Sequence, residues 1–67
     1  MSYPKLRGAI REKFGTQEAF AEALDVTPAT LSCKLTGKTE WTREEIVAAS
    51  RLLGIPAEEI HAYFFAV

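Results

Sequence analysis

The sequence predicts an all-α fold, a compact five-helix bundle in one domain spanning residues 1–67. Three observations carry that expectation. Apolar residues recur at three- and four-residue spacing along most of the chain. Threonines open and glycines close successive segments at Thr16, Thr27, Thr42, Gly15, Gly37 and Gly54. No segment reads as a strand. The chain has 67 residues, 48% of them hydrophobic and 25% charged, which describes a globular domain and not a disordered tail. A chain this short buries only roughly 60% of its unfolded surface, so it supports a single core.

Leu6, Ile10 and Phe14 repeat at i, i+4, i+8 and define the apolar face of a first helix, opened by Ser2 and Pro4 and closed by Gly15. Gly8 falls on the opposite face of that helix, at a cost of about 1 kcal/mol relative to Ala. It reads as tolerated there. Thr16 caps a second helix whose first turn holds Gln17 and Glu18 and whose buried side is Phe20, Ala21 and Leu24. The break falls at Asp25-Val26-Thr27, with Asp25 suited to a left-handed turn and Val26 plugging the core. Thr27 caps a third helix with Pro28 at its first position, where the missing N–H is harmless, and Gly37 stops it. Trp41 roofs the core from the next loop. Thr42-Arg43-Glu44-Glu45 is a capping box that launches a fourth helix, with Ile46, Ala49, Ser50 and Leu53 inward and Gly54 at its end. Pro56 begins a last helix carrying Ile60 and Phe64 in the core, which leaves Phe65 and Val67 as apolar surface for a partner.

Composition narrows the function. A single Cys, Cys33, excludes an internal disulfide, and no Cys/His spacing suits a metal. No apolar run approaches 18 residues, so no membrane span is expected, and a cytoplasmic protein with a free thiol is the natural reading. His61 is the only histidine and no phosphate-binding glycine loop is present, so neither an enzyme nor a cofactor or small-molecule ligand is expected. Net charge is −1, but it is unevenly spread. Residues 1–13 carry Lys5, Arg7, Arg11 and Lys13 against Glu12, whereas residues 14–33 carry only Glu18, Glu22 and Asp25. Glu58 and Glu59 make the end of the chain acidic.

The joint between the second and third helices is the most specific feature. Ala21 permits a close crossing, Val26 fills the turn, and Leu31 is the first inward residue beyond it. Gln17, Ala21, Asp25, Val26, Leu31 and Gly37, in that spacing, resemble the helix-turn-helix of the phage repressor and Cro family, with the motif at about 16–37. "EEIVAASRLLGIPAEEIHAYFF" is similar to the closing helices of the short phage-type members. The resemblance implies a lambda-repressor-like DNA-binding domain that places its third helix in the major groove of double-stranded DNA as a transcriptional regulator, usually a repressor and usually a homodimer, formed in solution or only on DNA. Carried over by position, it implies that Thr27, Pro28, Ala29, Ser32 and Cys33 face base edges. Thr16, Gln17, Thr36, Lys38, Thr39 and Arg43 then face the DNA backbone, and the charge pattern adds Lys34 and Arg11 to the expected backbone-facing cations. At about 100° per residue, Leu31 and Leu35 share one side of the third helix and Ala29, Ser32, Cys33 and Thr36 the other, which agrees with that division.

Three positions depart from the family pattern. Asp25 replaces the usual turn glycine. Lys34 stands where an apolar residue is commoner. Cys33 replaces a long polar reader, so the stripe lacks the Arg, Lys, Asn or Gln that reads guanine or adenine bidentately. Methyl contact with thymine and DNA shape are the readout such a stripe allows. The same small stripe and the acidic balance point to the rival reading: a protein-interaction module on this fold with DNA binding weakened or lost.

Overall fold

The computed structural model describes residues 3–65. Among them there are five α-helices and no strand: α1 (Pro4–Phe14), α2 (Gln17–Leu24), α3 (Pro28–Leu35), α4 (Arg43–Leu53) and α5 (Ile60–Phe64), the last entered through a 3-10 turn at Ala57–Glu59. The expected roles of Ser2 and Val67 lie outside the described residues. No described helix is long and apolar enough to cross a membrane.

Helix α2 is the hub, packing on α1, α3 and α4, while α5 closes the bundle against α1 and α4. Phe20 and Ala21 of α2, Leu6 and Ile10 of α1, Leu31 and Leu35 of α3, and Ala49 of α4 are all essentially inaccessible. Phe14 meets Phe20 edge to face at 5.2 Å, a geometry that adds to the area buried. Ser50 sits among these apolar groups because its hydroxyl donates to the Ile46 carbonyl at 2.7 Å within its own helix.

Helix limits follow the local chemistry. The hydroxyls of Thr16, Thr27 and Thr42 accept from the N–H of Ala19, Thr30 and Glu45 respectively. Helices α2 and α4 end in the same way. Val26 N–H reaches Ala21 O at 3.0 Å, and Ile55 N–H reaches Ser50 O at 2.9 Å. Each donor follows a left-handed residue, Asp25 (φ 66) or Gly54 (φ 70), and each is an apolar residue turned back on the core. The last helix differs from expectation. Pro56 holds extended backbone and the chain winds through a tighter turn, with Glu59 N–H on Pro56 O at 2.9 Å, before α-geometry begins at Ile60.

Two identical substitutions separate with opposite sign. A Cβ at Gly8 meets nothing within 4 Å, so Gly8→Ala stabilises the fold by about 0.5–1 kcal/mol. Gly54 also has room, its nearest neighbour being Lys13 Nζ at 3.9 Å, but its positive φ strains any side chain, and Gly54→Ala costs about 1–2 kcal/mol. Urea unfolding midpoints read both.

Candidate interface on the α2–turn–α3 unit

Helix α3 is an eight-residue rod tied down at both ends and along one flank. Its first turn is capped by Thr27, whose hydroxyl also donates to Thr30 Oγ1 at 2.9 Å. Its last carbonyl, Leu35 O, accepts from Arg7 Nη2 of α1 at 2.9 Å, a cation at the negative end of the helix dipole. Leu31 and Leu35 seat it on the core.

The flank is held by Lys34, and here the structure corrects the sequence expectation. Lys34 does not project toward a DNA backbone; it is only 3% exposed. Its ammonium lies 2.8 Å from Glu45 Oε1 of α4, 3.3 Å from the Glu40 carbonyl, and 5.9 Å from the centre of the Trp41 ring. The reason is helical geometry: Lys34 is three residues past buried Leu31, so its stem runs along the core and its head emerges against the start of α4. The same Glu45 oxygen accepts from Thr42 N–H at 2.9 Å. One carboxylate therefore closes the capping box and neutralises the lysine. Partial burial raises the Glu45 pKa, but the hydrogen bonds from Lys34 and Thr42 and the lysine charge outweigh it, and the net shift is downward.

The other expected residues fall in distinct places. Thr27, Pro28, Ala29, Ser32 and Thr36 are exposed, and Cys33 is half-buried. The Thr27 hydroxyl is engaged in its cap, and that of Thr36 donates to Cys33 O at 3.1 Å. The outward stripe of α3 therefore presents small, neutral groups, with the Thr27 and Thr36 hydroxyls bonded within the stripe itself. Thr16 and Gln17 line a hollow with Arg7 and Arg11 at the start of α2. Lys38, Thr39 and Arg43 are exposed beyond α3. A further feature was missed in the sequence. Glu18, Glu22 and Asp25 line an open groove of about 760 Å³ with Val26, Thr27, Pro28 and Thr30, at the elbow where α2 turns into α3. The three carboxylates were visible as the only charges between residues 14 and 33. The groove that gathers them needed the fold.

The chain is thus a small all-helical bundle with a capped third helix, a hollow flanked by arginines at the start of α2 and a carboxylate-lined groove at the α2–α3 elbow. Over 96% of its length the chain matches the solution structure of the modulator of repression (MOR) of the temperate bacteriophage TP901-1 from Lactococcus lactis, with 41% identity and a TM-score of 0.85, covering 86% of that chain. The chain belongs to the family described as "Protein of unknown function (DUF739)", whose model matches residues 1–67. No curated protein matches it.

Two measurements test Lys34. Lys34→Ala removes stem and charge and leaves Glu45 without its cation, at a cost of about 3 kcal/mol. Lys34→Met keeps the stem and costs less than half as much. The pH dependence has a definite sign. Because the folded pKa of Glu45 lies below the unfolded one, its stabilisation is complete above the ordinary glutamate value and is lost as pH falls through the lower, folded value. Urea unfolding across that acid range shows a decline that Glu45→Gln flattens.

Proposed function

We propose that this chain is a phage or prophage regulator that modulates repression by binding another protein through its α2–turn–α3 face, a helix-turn-helix surface turned to protein recognition. The observation that carries the reading is the inward position of Lys34. With it buried and paired, α3 offers neither a cation nor a bidentate donor to a duplex. The elbow groove supports it. Carboxylates of Glu18, Glu22 and Asp25 repel phosphate at the place where a duplex seated on α3 brings its backbone. They attract a cationic protein surface, and the DNA-binding domain of a repressor is cationic because it neutralises phosphates. Val26 and Pro28 add apolar area in the same groove.

A second reading is favoured by a specific observation. Arg7 and Arg11 flank the N-terminus of α2, and Lys38 and Arg43 lie exposed beyond α3. These are the positions from which a DNA-binding repressor would hold double-stranded DNA while Ala29 and Ser32 meet thymine methyl groups. In that reading two copies pair as a homodimer on the duplex.

Fluorescence anisotropy and calorimetry separate the two. The protein reading expects the chain alone to show no salt-dependent binding to duplexes from a phage regulatory region, even at low salt. It also expects binding to a phage repressor's DNA-binding domain that Glu18→Gln with Glu22→Gln weakens at least fivefold. Duplex binding by the chain alone, with a slope of log affinity against log salt of roughly −5 to −7 for a dimer, would replace it with the DNA reading.

A further inference from the structure

Helix α4 packs on α1, α2 and α5 through the side that carries Ile46, Ala49, Ser50 and Leu53. Its opposite side is open, and there Arg43, Glu44, Val47, Ala48 and Arg51 line a hollow of about 470 Å³. Val47 is 41% exposed, and one exposed valine by itself is ordinary. The charges around it are arranged in a way that serves no contact within the chain. Glu44 has Val47 and Ala48 at the third and fourth residues after it, and Arg51 has the same two at the fourth and third residues before it. Those are the positions from which helix neighbours pair, so neither charge finds an opposite one on α4. The two stand about 10 Å apart along the helix axis. Among the described residues neither forms an ion pair.

We propose that this face pairs with a second copy of the chain, the two α4 helices lying antiparallel about a twofold axis between Val47 and Ala48. That register sets each Glu44 opposite Arg51 of the second copy, and each Val47 against Ala48 of the second copy. Both carboxylates and both guanidiniums are then matched at the ends of the contact. The small side chains lie at its centre, where helix axes must approach to about 8–10 Å. A twofold contact has to be self-complementary, and opposite charges spaced evenly about a small apolar centre meet that condition. An acidic partner would pair the arginines and leave Glu44 facing a like charge, and a basic partner would do the reverse. The contact is short and buries less than the roughly 1,200 Å² of a stable interface. Its dissociation constant is therefore on the order of 100 μM. No residue of the elbow groove lines the α4 hollow, so the pairing is independent of what α3 recognises.

Sedimentation equilibrium of the full chain without DNA, from about 10 μM to about 1 mM, reads the association. Glu44→Arg and Arg51→Glu, both at exposed positions, each set like charges against each other and weaken it at least fivefold, while circular dichroism confirms an unchanged fold. Mixing the Glu44→Arg chain with the Arg51→Glu chain puts opposite charges back at both ends of the contact. The mixture associates at least fivefold more tightly than either variant alone. Phe65→Ala, and Glu18→Gln with Glu22→Gln, leave the association unaltered, which separates this face from the end of the chain and from the elbow groove. A chain that stays monomeric to about 1 mM overturns the proposal. So does a mixture no tighter than its components, and so does an association that Phe65→Ala abolishes.

Discussion

The placement of α3 depends on one ammonium group. Lys34 carries its charge beneath the surface of a domain too small to hide an unpaired ion, and Glu45 at 2.8 Å is what makes that position tenable. The pair does more than cancel two charges. Glu45 is also the third residue of α4 and closes its capping box, so the start of α4 and the flank of α3 are fixed through the same carboxylate. The Glu40 carbonyl accepts from the same lysine, which draws the connecting loop over the core and presents Trp41 to Phe64. Removing the charge therefore loosens a helix cap, a loop and an inter-helix contact together.

Around that centre, the remaining constraints are local and mutually consistent. Arg7 fixes the far end of α3 by accepting nothing and donating to Leu35 O, while Thr27 fixes the near end. The paired helix ends at Asp25-Val26 and Gly54-Ile55 turn the chain sharply and return an apolar residue to the core each time. An aspartate held at φ 66 costs about 1–2 kcal/mol that a glycine would not. Its carboxylate also adds to the charge of the elbow groove, which no glycine would do. The strain and the groove arise from the same residue.

Most of the fold was legible because its signals are short-range. Threonine caps, glycine ends and the Leu6-Ile10 and Leu31-Leu35 repeats depend on residues within one or two turns of each other, and the structure agrees with them. The 3-10 entry to α5 was not legible, since a proline followed by two glutamates suits either helix type. Lys34 failed for a different reason. Its spacing from Leu31 marks it as inward, and Glu45 is visible as part of a capping box, but nothing in the sequence says that the two approach across the loop. Charge was read by type when its place in three dimensions decided its role. The carboxylates of the elbow show the same limit: a cluster along the chain became a groove only once α2 and α3 were set against each other.

The fixed pose of α3 and the blandness of its outer stripe belong together. A long, flexible side chain at the surface can adapt to a slightly misplaced helix; Ala29, Ser32 and a half-buried Cys33 cannot. A recognition surface made of such residues gains affinity only from shape fit and from charges at its borders. Shape fit in turn demands that the rod be held still, which the ties at Thr27, Arg7 and Lys34 accomplish. The borders differ in sign, with arginines by the start of α2 and carboxylates at the elbow. On the proposed protein-binding reading, a partner surface that mixes signs within a few ångströms matches both borders, whereas a uniform polyanion is repelled at one of them.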